Sequence, residues 1–303
     1  MGEIITFDKT FEPRHGIAVA VAPGIRRVTA RNPSPTTFHG TNSYIVGSGR
    51  VAIVDPGPDD KAHVAALLKA TEGETVSHIV LTHTHRDHSG ALAALSAATG
   101  ATTAGGGPHR PSRPPREGEN ARLDAAGDAS FMPGIRLGDG DSIGEDTWRI
   151  EAIATPGHTA NHLAFALAGQ NLLFSGDHVM GWSTTIVAPP DGAMRDYMQS
   201  LDKLAARPEP RYLPGHGGPV EDAPTYVRAL KRHRRMREAA ILDRLVKGDR
   251  TIPDIVAAIY RDTDPRLHRA AGLSVLAHLE DLVTAGKVAS DGLPTVEGRF
   301  EPV

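Results

Sequence analysis

The chain has 303 residues, no cysteine and a formal net charge of −3. This length supports a large core and more than one domain. Without cysteine there are no disulfides and no thiolate ligands, so any metal ion must be bound by nitrogen and oxygen. The small net charge gives no general attraction to nucleic acid or to an anionic membrane. Residues 1–11 lack the apolar segment of a secretory signal, and no run is long enough to span a bilayer, so we expect a cytoplasmic protein.

Short apolar segments, separated by Gly and Pro, dominate the first two thirds of the chain. Alternation with a period of two is typical of half-buried strands, and apolar spacing of three to four is typical of helices. The pattern predicts strands at residues 17–22, 25–30, 42–46, 50–54, 76–81, 148–154, 162–168, 171–174 and 212–213, and helices at residues 61–70, 90–98 and 194–206.

The character of the chain changes after Pro219, where strand patterns give way to helical ones. The spacing predicts helices at residues 223–246, 252–260 and 267–285, followed by two short extended pieces at 287–292 and 295–300. Three helices and a terminal hairpin resemble a winged-helix module. We therefore predict two domains, residues 1–220 and residues 221–303.

Residues 105–120 are rich in Gly, Pro and Arg and can form neither a helix nor a central strand. A long loop of this kind in a compact domain is either a surface insertion or a functional lid. The sequence favours the surface insertion and leaves a substrate-contacting lid open.

Three histidines and one aspartate lie within six positions, at His83, His85, Asp87 and His88. An apolar run leads in and a run of small residues leads out, which indicates a strand, a loop and a helix. Side chains of this type packed so closely repel one another or lose solvation unless a cation holds them. One or two divalent metal ions would resolve that conflict.

The same pattern recurs along the chain, because each later strand ends in a Gly-bearing turn with a His or Asp. These residues are His158, Asp177 and His216. Ligands at strand ends are held by a rigid scaffold. Together with the first four, they make seven nitrogen and oxygen ligands, enough for two metal ions.

This ordered pattern resembles the metallo-β-lactamase-fold superfamily over roughly residues 15–220. The resemblance implies an α+β protein, an αββα sandwich with a dinuclear site at one edge of its two sheets and the winged-helix-like domain after it. It also implies a division of the ligands. The first metal ion would be bound by His83, His85 and His158, the second by Asp87, His88 and His216, and Asp177 would bridge them.

Two positions indicate the branch of the superfamily. A bridging Asp177 resembles the glyoxalase II and ribonuclease Z types, whereas lactam-hydrolysing members commonly have Cys or His there. His85 favours zinc and hydrolysis, because the iron redox branch tends to carry Glu at this position. We expect two Zn²⁺ ions, with Mn²⁺ or Fe²⁺ as alternatives, that lower the pKa of a shared water from about 15.7 towards about 7. Asp87 is the candidate catalytic residue that orients this water or moves its proton.

Residues 176–192, the segment 231–241 and the C-terminal module resemble the lactamase-β-like-2 group of hydrolases. Animal members of that group are implicated in single-stranded RNA cleavage, so the resemblance implies a phosphodiesterase acting on RNA. A run of six Lys and Arg between Arg228 and Arg237 could meet phosphates, although it is typical of a solvated or interdomain helix face. Residues 221–303 hold 14 basic and 13 acidic residues, which gives no strong basic field.

A thioesterase of the glyoxalase II type, or a small ester or lactone hydrolase, is the alternative. In either case Trp182, Thr184 and Thr185 are candidate substrate contacts. A DNA-binding regulator is less favoured, no membrane partner is expected, and the oligomeric state is not predicted. Among the other histidines, His162 is expected to form a hydrogen bond and His178 to support the site without binding metal.

Overall fold

A computed structural model describes residues 5–116, 119, 127–261, 264 and 267–303. Its largest sheet has seven strands in chain order, so each strand pairs with the next one along the sequence. The first four strands are antiparallel, and β4 to β7 are parallel. The strands are β1 (Val19–Ala22), β2 (Ile25–Thr29), β3 (Asn42–Ser48), β4 (Arg50–Val54), β5 (Thr75–Val80), β6 (Thr102–Gly105) and β7 (Ile135–Arg136).

The second sheet has five strands in the order β12-β11-β10-β9-β8. Its pairs are antiparallel except β11 with β12, which are parallel because a helix connects them. The strands are β8 (Ser142–Glu145), β9 (Trp148–Ala154), β10 (Leu163–Leu167), β11 (Leu172–Gly176) and β12 (Arg211–Pro214).

The two sheets pack face to face through alternate side chains. Tyr44 and Val46 of β3 point inward and meet Phe165 and Phe174 of the second sheet, whereas Ile45 between them faces the other way. This alternation follows from the pleat of a strand. The hydrophobic core between the sheets therefore joins the two halves of the domain.

Helices cover both outer faces. Helices α1 (Lys61–Ala70) and α3 (Leu92–Thr99) pack on the large sheet through Leu67 and Leu95. Helices α4 (Met194–Ala205) and α5 (Ala223–Val246) pack on the small sheet. The four layers confirm the predicted αββα sandwich.

A smaller, mostly helical unit follows, as the winged-helix expectation requires. Helices α6 (Ile252–Ile259) and α7 (His268–Thr284) share a core with the C-terminal part of α5 and with a two-stranded sheet, β13 (Val288–Ser290) and β14 (Phe300–Pro302). The second strand of this hairpin begins at Phe300, so its predicted position at 295–300 was about five residues too early. Phe300 is buried in that core, which explains where the pairing starts.

Three strands had not been expected, namely β6, β7 and β8. They have two to four residues each, too short to show a period. Gly105 ends β6, and the rest of the predicted loop at 105–120 contains no strand or helix in its described part. Its remaining positions, 117, 118 and 120, lie outside the described residues. Within the described part of the chain, no helix combines the length and the apolar character needed to cross a bilayer.

We predict that Phe174→Ala lowers the free energy of unfolding by about 3–5 kcal/mol, because it leaves a cavity between the two sheets. Urea unfolding of both proteins would measure this loss. Met236→Ala is the matched control, since that side chain is 69% exposed on α5 and should change the stability by less than about 0.5 kcal/mol. Equal effects of the two substitutions would contradict the assigned core.

Candidate metal centre

The seven predicted ligands meet at one edge of the sandwich. Each comes from a segment that follows the carboxyl end of a strand, and the short helix α2 (Arg86–Ser89) carries two of them. Their ligand atoms form two groups, in each of which the atoms lie within 4.8 Å of one another. We call them the three-histidine group (His83, His85, His158) and the mixed group (Asp87, His88, Asp177, His216).

In the three-histidine group, the imidazole nitrogens converge on one point. Nδ1 of His85 lies 3.0 Å from Nε2 of His83 and 3.0 Å from Nε2 of His158. When all three rings are neutral, Nδ1 of His85 cannot form a hydrogen bond with both of the other nitrogens at once. Three nitrogens at these distances instead fit the ligand set of one cation.

In the mixed group, two imidazoles face two carboxylates. Nε2 of His88 and Nε2 of His216 are 3.3 Å apart, and Oδ2 of Asp87 lies 3.5 Å and 3.2 Å from them. Asp177 reaches both groups, because its Oδ2 is 3.3 Å from His216 and 3.7 Å from Nε2 of His158. Asp177 therefore occupies the position between the groups that a bridging ligand needs.

The outer nitrogens of three rings are fixed by acceptors. Nδ1 of His88 donates to Oδ2 of Asp55 (2.9 Å), Nδ1 of His158 donates to the carbonyl of Ile186 (2.8 Å), and Nδ1 of His216 donates to a backbone carbonyl (3.2 Å). Because a carbonyl or carboxylate can only accept, Nδ1 carries the proton in each ring. In the neutral ring Nε2 then presents a lone pair to the site, as metal-binding histidines do.

The residues present fit a metal ion on a further observation. Oδ1 of Asp177 is buried and makes no hydrogen bond with the described residues, although Nε2 of His88 lies 3.4 Å away. A buried carboxylate oxygen without a donor is costly unless a cation lies beside it. The donor set of five imidazoles and two carboxylates suits zinc and also suits manganese or iron.

The two groups differ in their affinity for protons. Burial and the neighbouring imidazoles hold the pKa of His83 and His85 well below 6.5, so these rings are neutral ligands at pH 7. In the mixed group burial also opposes charge, but the carboxylates of Asp177 and Asp87 overcome it. They raise the pKa of His88 well above 6.5 and that of His216 to about 9. In the metal-free protein, protons therefore occupy the place of a cation in the mixed group.

Sequence reasoning missed Asp55, which orients the histidine motif from a distance. Its carboxylate is 2% exposed and accepts hydrogen bonds from the N–H of Thr82 (2.8 Å), from the hydroxyl of Thr82 (2.8 Å) and from His88. Asp55 directly follows the buried strand β4 and has a positive φ of 53°. In the sequence, the only indication of Asp55 was its position as an acidic residue directly after an apolar strand.

The other histidines have structural roles. His162 bonds through Nδ1 to the hydroxyl of Thr155 (2.8 Å), and its Nε2 accepts from the backbone N–H of Asp177 (3.2 Å), as expected. His178 belongs to neither ligand group, and burial lowers its pKa to about 3, so it is neutral. His63 is buried and bonds to Ser43.

Trp182 forms an aromatic wall beside the mixed group together with Phe38. The two rings stack at 4.8 Å with planes 8° apart, and the indole N–H is buried without a partner among the described residues. Phe38 lies two residues before Gly40, whose carbonyl accepts from His216. The role of Trp182 as a substrate contact stays a prediction. Thr184 is half-buried on the same loop.

Thr185 differs from that expectation. Its side chain is buried, and its hydroxyl donates to the carbonyl of Asp177 (2.6 Å) and lies 2.9 Å from that of His178. The hydroxyl is therefore committed to the backbone that carries a predicted ligand. In this arrangement Thr185 supports the loop rather than facing a substrate.

The described part of the 105–120 loop wraps around the site instead of lying on a remote surface. Nε2 of His109 lies 3.2 Å from Asp191, and its ring lies 5.9 Å from that of His85. Arg113 pairs with Glu280 of α7 at 2.6 Å, so the loop also joins the two units of the chain.

Comparison with known proteins agrees with this geometry. Residues 36–216 match the metallo-beta-lactamase superfamily, and residues 251–295 match the beta-lactamase associated winged helix domain. The chain belongs to the metallo-β-lactamase superfamily and is a hydrolase of that superfamily. The family resemblance and the fold class expected from the sequence are confirmed. The domain boundary near residue 220 stays a prediction, because neither match covers residues 217–250.

Among relatives, the chain is similar to the beta-lactamase-like protein 2 homologs of Drosophila melanogaster and Caenorhabditis elegans. The identities are 29% over 89% of this chain and 94% of the fly protein, and 28% over 91% of this chain and 89% of the nematode protein. A metallo-beta-lactamase family protein of Thermus thermophilus has 26% identity and a TM-score of 0.74 over 94% of this chain and 100% of its own.

We predict that Gly215→Ala weakens cation binding by the mixed group by roughly 10–100-fold. An added Cβ would lie 2.6 Å from Oδ1 of Asp177 and 2.6 Å from Cε1 of His88, so both side chains must move. Metal content after dialysis against a weak chelator would measure the loss, with Gly292→Ala as the control because nothing lies within 4 Å of its added Cβ. Full retention of metal in Gly215→Ala would contradict the assignment.

We also predict that the metal-free protein loses stability in alkali. The pKa of His216 is raised from 6.5 to about 9, so its stabilising charge is fully present below about pH 6.5 and is lost as the pH rises through about 9. Asp87 and Asp177 stay ionised over this range, because the neighbouring imidazoles overcome burial and lower their pKa. The melting temperature of chelator-treated protein should therefore fall by several degrees between about pH 7 and pH 9.5.

Zinc-loaded protein serves as the comparison, since bound cations replace those protons and should abolish the decline. His216→Gln should reduce the decline in metal-free protein. If the melting temperature changes equally with pH in the metal-free and in the zinc-loaded protein, the mixed group does not bind protons as described.

Proposed function

We propose that the chain is a dinuclear, zinc-dependent hydrolase of carboxylic esters, thioesters or lactones with an apolar acyl part. The observation that carries this proposal is the setting of the metal centre. Trp182 and Phe38 form an aromatic wall beside the mixed group, and an apolar cavity lies between α6, α7 and Pro189 of the loop after Asp177. At least three of the six basic residues between Arg228 and Arg237 contact other parts of the protein, which leaves fewer of them to meet phosphates.

The cavity has a volume of about 520 Å³ and lies between α6, α7 and the loop after Asp177. Its lining is mostly apolar and includes Pro189, Val256 and Leu276. Pro189 belongs to the segment that runs to Ala193, whose N–H donates to the carbonyl of Gly157 beside the predicted ligand His158 (3.0 Å). Mostly apolar pockets of this size accept small-molecule groups, so we assign it to the acyl part.

Asp87 is the residue of this centre best placed for proton transfer. Its side chain is 24% exposed, whereas those of the neighbouring His88 and Asp177 are 0% and 9% exposed. Its carboxylate is therefore more open to solvent than the side chains of these neighbours. Because it is ionised, it can orient a water molecule and accept its proton as that water attacks the carbonyl carbon. The bond to the alkoxide or thiolate leaving group then breaks.

The seven ligands would hold two divalent cations, three histidines on one and the mixed group on the other. When bound, such cations acidify water and stabilise the negative charge that the scissile carbonyl gains. Asp177 would keep the two at a fixed separation, and Asp55 keeps the ring of His88 in place.

A phosphodiesterase acting on single-stranded RNA is the second candidate, supported by the family resemblance and by the bridging position of Asp177. The structure removes part of its support. Lys231 pairs with Asp202, Arg234 is buried, and Arg237 lies 4.8 Å over the ring of Tyr260. Loss of activity in an Arg234 variant would therefore not report phosphate contact.

We expect an activity panel to separate the two candidates. Purified zinc-loaded protein is assayed with p-nitrophenyl esters and S-acyl thioesters of increasing chain length, with an acyl lactone, with bis-p-nitrophenyl phosphate and with a single-stranded RNA oligomer. The kcat/KM of the esters should rise by up to roughly fourfold for each buried methylene, because each contributes about 0.8 kcal/mol. Chelation should abolish turnover and added zinc should restore it.

Trp182→Ala should lower kcat/KM for esters of every chain length by roughly tenfold or more, chiefly through KM, because the wall lies beside the ligands and not in the acyl cavity. Met132→Ala is the control, because that side chain is 80% exposed and belongs to neither wall. Turnover of RNA or of the phosphodiester with no turnover of any ester, thioester or lactone would overturn the proposal in favour of the second candidate.

A further inference from the structure

Segment 185–186 connects the two ligand groups. The carbonyl of Ile186 accepts from Nδ1 of His158 (2.8 Å), and His158 belongs to the three-histidine group. The hydroxyl of Thr185 donates to the carbonyl of Asp177 (2.6 Å), which belongs to the mixed group. Since such outer hydrogen bonds fix the direction of a ligand, a small shift of this segment would disturb both groups.

Arg234 holds this segment from the opposite side. It lies on α5, and its side chain reaches the site through the protein interior, because the residue is only 3% exposed. Its guanidinium donates to the carbonyl of Thr185 and to the hydroxyl of Ser274 on α7 (3.3 Å). It also lies 5.1 Å over the ring of Tyr197, whose hydroxyl donates to the carbonyl of His178 (3.1 Å).

The charge of Arg234 is unusual for a purely structural residue. Among the residues that the structure describes, no carboxylate lies within ion-pair distance of its guanidinium. Nε of Arg234 also has no hydrogen-bond partner there. Burying a cation without a counter-ion is costly. His278 adds no charge beside it, because burial lowers its pKa to about 3.

The positions of the hydrogen-bond partners of Arg234 explain why an arginine is buried here in spite of this cost. The planar guanidinium can donate in two directions at once, here towards the metal-site loop and towards α7, which a lysine ammonium on a flexible stem does less well. The residue thereby ties α7 to the segment that orients His158 and Asp177.

We propose that Arg234 is a positioning residue of the metal centre, through which the C-terminal helices fix the directions of one ligand in each group. This inference rests on the metal-dependent hydrolase function proposed above. Arg234 lies on α5, outside residues 36–216, which are the part of the chain that matches the superfamily.

The test uses the full chain loaded with Co²⁺, whose visible absorption reports ligand geometry without any substrate. Arg234→Met should change the cobalt spectrum and weaken cation affinity by roughly 10–100-fold in competition with a chelator. With the proposed esters, kcat should fall while KM changes little, because the substrate walls are untouched. Arg234→Lys should recover part of the affinity and of the spectrum.

Arg195→Met is the matched control. Arg195 on α4 also reaches α7, where its Nε pairs with Asp281 at 2.9 Å, but the described structure gives it no bond to segment 185–186. Its cobalt spectrum, affinity and kcat should equal those of the unaltered chain. If Arg234→Met fails to fold, Arg234→Lys decides, since it keeps the charge and should still shift the spectrum.

Unchanged cobalt spectra and affinities in a folded Arg234 variant would overturn the positioning role and leave the proposed function intact. An effect of equal size in Arg195→Met would also overturn it, because general loosening of α7 would then be the cause. Failure of the unaltered chain to bind Co²⁺ or Zn²⁺ would overturn the proposed function and this inference together.

Discussion

The metal centre brings imidazole nitrogens and carboxylate oxygens so close together that only a positive charge between them can stabilise the arrangement, and the rest of the structure depends on this constraint. Nitrogen and carboxylate oxygen atoms lie 3.0 to 3.7 Å apart in the segments that follow four strands, with the outer nitrogens of three rings already bonded to acceptors. Close contacts around the ligands leave no space for a side chain at Gly176 or Gly215, where an added Cβ would lie 2.6 Å from a histidine ring. The backbone of these turns is thus shaped by the ligands beside it.

Sequence patterns predicted the parts of this arrangement that are local. The period-two strands and the seven ligands each carry their signal within a few residues, so the sandwich and the location of the site could be anticipated. The role of Asp55 was missed although it follows an apolar strand, because the donors to its carboxylate lie 27 and 33 residues away along the chain. Phe38 was missed for the same reason, since its stacking on Trp182 depends on the folded chain.

The basic run on α5 shows the limit of charge patterns. In sequence its Lys and Arg residues are equivalent, and a shared phosphate-binding face was a reasonable hypothesis. In the fold a helix presents successive residues to different surroundings. Arg234 is buried against the metal-site loop, while Arg235 next to it is exposed. A count of basic residues cannot separate these two environments, so burial had to come from the structure.

The two units of the chain share one helix, α5. The N-terminal half of α5 is an outer layer of the sandwich, and its C-terminal half belongs to the core of the following unit. The apolar cavity is lined by that following unit, by Glu119 and by Pro189, which is three residues from the Ile186 carbonyl that orients His158. Repacking α7 to admit a different substrate would therefore also move the anchor of Arg234. Under the proposed function, substrate choice and ligand geometry are coupled through the same helix, so that a change in one requires compensation in the other.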